Sequence, residues 1–342
     1  MSGNINLKSL SKADTYHFAA DNGLPRYRVE QLLHWIYGKY ARELQEITEF
    51  SKELRRELGQ KAYISNLGLV ARQRSGDGAE KFLFSLEDGH AIESVLIPDK
   101  ERLTLCISSQ AGCAMGCRFC LTGSEGLIRN LRAYEIVDQV ISVNRLISPD
   151  RVTNIVFMGM GEPLANFDEV VEALKRITEF IGISKRKITL STSGLVPKML
   201  ELPKKAPDVN LAVSLNATTD DVRDRIMPIN KKYPITELLD ACRQYPLQPR
   251  RRITFEYVLI DGLNDTLDDA RRLVRLLRGI PCKVNLIPFN PHTEGGFKRP
   301  SEERVLAFQK VLIDGHMTAL IRESKGQDIL AACGQLRGTA GR

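Results

Sequence analysis

From residue 102 onward, short apolar stretches alternate with amphipathic stretches of helical period. The apolar stretches are 102–108, 152–158, 187–191, 209–215, 252–260, 283–288 and 317–321. The helical ones are clearest at 132–147, 166–180, 234–244, 265–278 and 302–314. Repeated strand–helix–strand units predict a parallel α/β sheet with right-handed crossovers, either open or curled into a full or partial barrel. In such folds a site lies in the loops after the carboxyl ends of the strands. The first sixty residues read differently. Pro25 suits a helix start, and Val29, Leu32, Leu33 and Ile36 share one face behind it. Ser51 can cap a short second helix with Leu54 and Leu58 on one side, ended by Gly59. The run KFLFSLEDGHAIESVLIP then gives two alternating segments around Glu87-Asp88-Gly89, the signal of a β-hairpin. The chain therefore divides into a small helical accessory domain (1–60), a short β-rich linker (61–98) and an α/β core (99–342).

Composition adds limits. With 342 residues, 43% hydrophobic and 27% charged, the chain is an ordinary soluble globular protein that needs no cysteine staples. No apolar run reaches the ~18–20 residues of a membrane span, and MSGNINLKSLSKAD lacks a signal-peptide core. A cytoplasmic location without membrane contact is expected, where thiols stay reduced and clustered cysteines point to metal or catalysis. The net charge is +7, yet residues 1–95 balance at 13 Lys/Arg against 13 Asp/Glu. The whole excess lies in the core, which fits a polyanion partner. Candidate phosphate contacts are Arg250-Arg251-Arg252, Lys185-Arg186-Lys187 and Lys231-Lys232. Tyr27, Arg28, Trp35 and Tyr37 are candidate stacking groups for unpaired bases, with core packing as the alternative.

The strongest chemical signal follows the first core strand. Residues 113–120 read Cys-Ala-Met-Gly-Cys-Arg-Phe-Cys, a C-x3-C-x2-C spacing that lets three thiolates converge on one soft metal centre. Structural zinc wants four ligands, and no fourth Cys or His stands nearby at that spacing; a distant residue could still complete it. A cubane cluster held by three cysteines leaves one iron open, as catalysis or chelation of a substrate requires. Three buried structural cysteines are the remaining alternative.

That spacing after a core strand resembles the signature of radical S-adenosylmethionine (SAM) enzymes, whose partial (β/α)6 barrel suits the alternation above. The ordered set CISSQAGCAMGCRFCLTG, FMGMGEPLANFDEV, ITLSTSGLVP, VNLAVSLNATTDDVRDRIMPIN, VNLIPFNPH and DILAACGQL, spanning 106–336, is similar to the motifs of RlmN-type RNA methyltransferases. Pro163 after Gly161-Glu162 resembles that form more than the sister Cfr type, which methylates adenine carbon 8.

The resemblance implies an enzyme that methylates adenine carbon 2, in 23S rRNA at the peptidyl-transferase centre and in tRNA just 3′ of the anticodon. Cys113, Cys117 and Cys120 would hold a 4Fe–4S cluster whose open iron binds SAM. Gly161, Glu162, Ser193, Ser214, Leu215, Asn216 and Asn290 would contact SAM; Asn216 stands where the family has His. Leu121 is bulkier than the residue expected after the third cysteine. Cys333 would carry the methyl as S-methylcysteine, and a 5′-deoxyadenosyl radical from a second SAM would activate it. Cys106 would resolve the RNA crosslink, with a transient disulfide to Cys333, and Glu93 would accept the proton. Cys242 and Cys282 match no motif and read as structural. Expected partners are the two RNAs and a reductant such as flavodoxin or ferredoxin, with the chain a monomer. A radical SAM activase of a protein partner, or a binding module with a structural metal, would not need Cys106 and Cys333.

Overall fold

The computed structural model describes residues 4–292 and 296–338. Ile5–Asn6 (β1) pairs in parallel with Ala62–Tyr63 (β2). Between them lie helices Lys12–Asp21 (α1), Arg26–Leu33 (α2) and Lys52–Gly59 (α3). Each start has a local cause. The Ser11 hydroxyl accepts from the Asp14 amide, Pro25 precedes α2, and the Ser51 hydroxyl accepts from the Leu54 amide. Val29, Leu32, Leu33 and Ile36 are all buried, so the helical spacing marked a real core face.

The main sheet begins with three antiparallel strands, Gly68–Arg74 (β3), Glu80–Ser85 (β4) and Ala91–Asp99 (β5). The last of these pairs antiparallel with Arg102–Cys106 (β6). The 68–98 segment is thus part of the main sheet and joins it edge to edge. A hairpin of Gln110–Gly112 (β7) and Leu127–Asn130 (β8) follows, with the short helix Leu121–Glu125 (α4) between them.

Six strand–helix units then build the barrel on β6. They run Ala133–Ile147 (α5), Asn154–Phe157 (β9), Phe167–Arg176 (α6), Ile188–Thr192 (β10), Val196–Lys205 (α7) and Asn210–Ser214 (β11). Asp220–Ile226 (α8), Ile235–Gln244 (α9), Ile253–Leu259 (β12), Leu267–Leu276 (α10), Cys282–Pro288 (β13), Glu302–Asp314 (α11) and Ala319–Ile321 (β14) complete them. The sheet order is β14-β13-β12-β11-β10-β9-β6-β5-β4-β3, and every pairing from β6 to β14 is parallel. No pairing closes β14 onto β6 among the described residues, so the barrel is partial. All seven predicted core strands and all five predicted helices are present; α7 and α8 are additions.

Side chains alternate along these strands for a physical reason. Leu105, Ile155, Leu190, Val213 and Phe255 are buried under the helices, whereas Cys106, Val156, Thr189 and Glu256 line cavities on the other face. A polar inner face marks a barrel built around a site. Among the described residues no helix is long and apolar enough to cross a membrane.

The accessory helices dock on α5 and α6 through buried charge. Lys8 Nζ lies 2.6 Å from Asp138 Oδ1 and 2.7 Å from the Ser65 carbonyl, with both side chains buried. Arg176 donates to the carbonyls of Lys8 and Leu10, and Arg145 to those of Tyr40 and Ala41. Burial pulls the Lys8 pKa down and pushes that of Asp138 up, so each charge depends on its partner. Lys8→Met is expected to lower stability by about 3–5 kcal/mol, because it strands a buried carboxylate. Urea unfolding of the two proteins measures this.

Candidate active site

The loops after the carboxyl ends of the barrel strands surround a cavity of about 170 Å³. Cys113, Cys117 and Cys120 line it from the loop after β7. So do Gly161 and Glu162 after β9, Ser193 after β10, Ser214 and Asn216 at the end of β11, Asn290 after β13, and Cys333 near the C-terminus. Leu215 does not line it. Its side chain is buried, and its carbonyl accepts from the Arg223 guanidinium.

The cysteine loop is pinched shut by the β7–β8 hairpin. Gly112 has φ +74°, and a Cβ there would lie 2.1 Å from the Gly126 carbonyl oxygen. That carbonyl accepts from the Cys113 amide at 2.8 Å, a closeness that only glycine permits. The three thiols are near enough for each charge to act on another, and burial pushes all three upward, Cys113 to about 12. Thiolates are therefore costly here without a neighbouring cation.

Among the described residues no set of three or more His, Cys, Asp or Glu groups could hold a single metal ion. A zinc site completed by a distant residue is thus not found. A cubane places each ligand on a different iron, so its ligands surround a cage and stand further apart. Three thiols on one cavity wall fit that group. A methionine-derived ligand fits the same cavity, where Ser193 Oγ and Asn290 Oδ1 are buried without a hydrogen-bond partner.

Glu162 is fixed from two sides. Its carboxylate accepts from the Ser193 amide at 2.6 Å and the Leu164 amide at 3.0 Å, the latter capping the turn that Pro163 opens. Burial raises its pKa. Gly161, at φ +97°, would drive a Cβ to 2.5 Å from Gln110, whose side-chain oxygen accepts from the Glu162 amide.

Asn216 also has a backbone reason. Its φ is +57°, a conformation that Asn and His tolerate better than most residues. Its Oδ1 accepts from the Val258 amide at 2.8 Å. It therefore braces β11 against β12 at the cavity wall.

Sequence reading missed Arg223. Its side chain is 0% exposed, and it donates to the carbonyls of Ser193, Ser214 and Leu215 and to Asn230 Oδ1. Burial lowers its pKa to about 10, and the nearby Cys117 opposes that shift. It ties the ends of β10 and β11 together beside the cysteine loop.

The C-terminal loop packs directly on the cysteine loop. The Leu121 amide donates to the Gly334 carbonyl at 2.7 Å, the Thr122 hydroxyl to the Leu336 carbonyl at 2.6 Å, and Asn290 Nδ2 to the Cys333 carbonyl at 3.1 Å. The bulk of Leu121 is buried beneath this contact. Cys333 keeps exposed surface and lines the interior space.

A second, deeper chamber is lined by Cys106, Glu256 and the same Cys333. Cys106 is aligned with Val156 and Thr189 on the inner face. Both cysteines are free thiols, and burial pushes both upward, with the nearby Cys333 adding to the shift of Cys106.

Glu93 is not among the residues lining either space. It is 2% exposed, with Lys81 Nζ at 3.1 Å from one carboxylate oxygen. The other oxygen accepts from the Arg337 amide at 2.8 Å and the Gly338 amide at 3.4 Å. The C-terminal segment covers it. A solvated strand carboxylate, the ordinary expectation for a lone Glu, is thereby excluded.

Two of the three basic runs lie at the wrong end. Lys185-Arg186-Lys187 and Arg250-Arg251-Arg252 precede β10 and β12, at the amino ends of strands whose carboxyl ends carry the cavity. Arg251 pairs with Asp208 at 3.9 Å, and Arg252 Nη1 donates to Thr318 Oγ1 at 3.0 Å. Lys231-Lys232 instead follow Pro228, which packs beside Gly116 of the cysteine loop. In the accessory domain Tyr37 is 2% exposed and stacks on Phe180, so it is core. Trp35 is partly buried under Lys39, whereas Tyr27 is 57% exposed. Cys242 is buried and Cys282 is half-buried, both away from the two spaces.

Glu256 has a thermodynamic consequence. Burial raises its pKa from 4.5 to about 7. Between those values the unfolded chain loses the proton while the folded one keeps it, so stability falls as pH rises. The full cost above pH 7 is about 3 kcal/mol. Glu256→Gln is expected to remove this slope, raising Tm at pH 8 and leaving it nearly unchanged at pH 4. Calorimetry across that range measures it.

The radical SAM superfamily model matches residues 107–277, and the ribosomal RNA large subunit methyltransferase N-terminal domain matches residues 5–64. The chain is 55% identical over 336 residues to a dual-specificity RNA methyltransferase RlmN of Geotalea uraniireducens, covering 98% of this chain and 97% of that one. It is 54% identical over 340 residues to the protein of that name from Pelobacter propionicus, covering 99% and 97%. A radical SAM methyltransferase from Sphaerobacter thermophilus superposes with a TM-score of 0.93 at 44% identity, over 98% of this chain and 100% of that chain.

Proposed function

This chain belongs to the RlmN family of radical SAM RNA methyltransferases, and we propose that it methylates carbon 2 of adenosine. The substrates in this reading are 23S rRNA at the peptidyl-transferase centre and tRNA at the adenosine 3′ of the anticodon. A SAM-dependent enzyme and an RNA substrate come with family membership; the atom, the sites and the residue roles are our reading.

Cys113, Cys117 and Cys120 would each ligate one iron of a 4Fe–4S cluster. Gly161, Glu162, Ser193, Ser214, Asn216 and Asn290 would hold SAM against it, and Leu215 would act only by shaping the turn. Bound there, the cluster and SAM would supply the one-electron chemistry that activates the carried methyl group. Cys333 presents the methyl as S-methylcysteine from its loop over the cavity. Once the base is attached through a methylene, the Cys106 sulfur attacks that of Cys333. The S–CH2 bond breaks with its electron pair on carbon, which takes the proton given up by Cys106, so methylated adenine leaves and a disulfide remains. Glu93 takes the adenine proton after residues 337–338 lift from it, so one loop movement serves both base delivery and the acceptor. Flavodoxin or ferredoxin supplies electrons, and the chain works as a monomer in the cytoplasm.

The observation that supports this most is that Cys333 lines both spaces, one shared with the three loop cysteines and the other with Cys106. Its test is anaerobic incubation of the reconstituted protein with SAM, reductant and unmodified 23S rRNA fragments or tRNA, followed by nucleoside mass spectrometry. 2-Methyladenosine is expected. 8-Methyladenosine would move the chain to the Cfr-type reaction.

A further inference from the structure

Loading Cys333 with a methyl group requires its thiol to lose a proton, and no group assigned above takes it. Glu93 is turned toward Lys81 and the 337–338 amides. Glu162 spends its carboxylate on two backbone amides. One other carboxylate faces the same space. Glu256 lies on the inner face of β12, in register with Ser214 of β11 and Asn285 of β13. Among the described residues it is the only carboxylate that lines both the upper cavity and the lower chamber, and Cys333 lines both as well. The two are close enough for the Glu256 charge to act on the Cys333 thiol. Its Oε1 accepts from Asn285 Nδ2 at 2.9 Å.

We propose that Glu256 is the proton acceptor for Cys333 when that sulfur takes its methyl group. This rests on the reading of Cys333 as methyl carrier. The step balances. The S–H proton of Cys333 passes to the Glu256 carboxylate, and the S–H electron pair becomes the new S–CH3 bond. The donor's methyl–sulfonium bond breaks with its electrons going to the leaving S-adenosylhomocysteine. One proton and one neutral thioether leave the reaction, and nothing is oxidised.

The surroundings suit a base of this kind. Glu256 shares the chamber with Lys283, Arg322, Glu323, Lys325, Cys106 and Cys333. Lys283 and Arg322 favour its charged form, and burial opposes them, leaving it near 7. A base poised there is half available at neutral pH and becomes a competent acid once loaded. The Cys333 thiol stays protonated at rest because burial and the Glu256 charge both favour S–H. The donor's sulfonium then supplies the positive charge that lets the proton move.

The test uses the full chain produced without cluster, reconstituted anaerobically, and given methyl-deuterated SAM without reductant. Peptide mass spectrometry follows labelled methyl on Cys333 with time, from pH 6 to pH 9. The wild type is expected to load Cys333 at a rate that climbs with pH and levels off above about 7. Glu256→Gln is expected to load it ~10²–10⁴-fold more slowly, with a rate still climbing at pH 9. Glu256→Asp should recover part of the rate. Iron content and Tm of each variant separate this from misfolding, since Glu256→Gln should bind iron like the wild type and melt no lower. Equal loading rates and equal pH profiles for wild type and Glu256→Gln overturn the proposal. A wild type that never labels Cys333 overturns the methyl-carrier reading beneath it instead.

Discussion

Cys117→Ala is expected to leave a folded protein that binds iron only at background level and no longer cleaves SAM. Cys117 is the middle cysteine of the loop, and both Cys113 and Cys120 act on it. Two remaining thiols cannot hold a cage that needs three, and Cys333, the other cysteine lining the cavity, is seated on the C-terminal loop and not in the cysteine loop. Iron and sulfide analysis after reconstitution, with 5′-deoxyadenosine measured by chromatography, gives the result. Cys242→Ala is the comparison. That thiol is buried on α9 and apart from the loop, so its loss should cost about 1 kcal/mol of stability and no iron. Equal iron in Cys117→Ala and wild type would remove the cluster from this loop.

Cys333→Ala carries the second large effect. Methylated adenosine should fall to background, because the alanine side chain offers no sulfur to carry the group. Iron binding should persist, since the contacts that seat this loop are backbone ones at Cys333, Gly334 and Leu336. Cys106→Ala should differ in kind. There the base attaches to Cys333 but is not released, so a protein–RNA adduct that survives denaturing gels should accumulate. Its absence, with turnover intact, would contradict the role of Cys106.

What could be read from the sequence followed from how local each signal is. The loop cysteines lie within eight residues of one another, so their chemistry is written in spacing alone. The barrel strands are apolar on the helix side, and that run of Leu, Ile, Val and Phe marked all seven. The strand β3 escaped notice because GLVARQR is exposed along most of its length, as suits a charged edge strand. Cys106 and Cys333 lie 227 residues apart in the chain. Nothing local connects them, and only the family resemblance paired them before the fold did.

Charged residues were the hardest to place. The basic runs looked like RNA contacts, but strand direction sends two of them to the far end of the barrel. Lys8, Arg223 and Glu93 have no local pattern that marks them as buried, yet all three are, each held by partners distant in sequence. Glu256 sits in the apolar strand ITFEYVL, where a single carboxylate facing inward was the available clue. Alternation along that strand puts Glu256 on the face opposite Phe255 and Tyr257, which is the cavity side.

The central claim is that the transferred methyl passes through Cys333 on its way to adenine carbon 2. The most direct measurement supplies methyl-deuterated SAM to reconstituted, unmethylated protein with reductant and unmodified RNA. Mass spectrometry then reads the deuterium in the modified nucleoside. The expected product is 2-methyladenosine bearing two of the three donor deuteriums, because one is removed while the carbon is held on Cys333. A product with all three deuteriums, or one still formed by Cys333→Ala, would mean direct transfer and contradict the account.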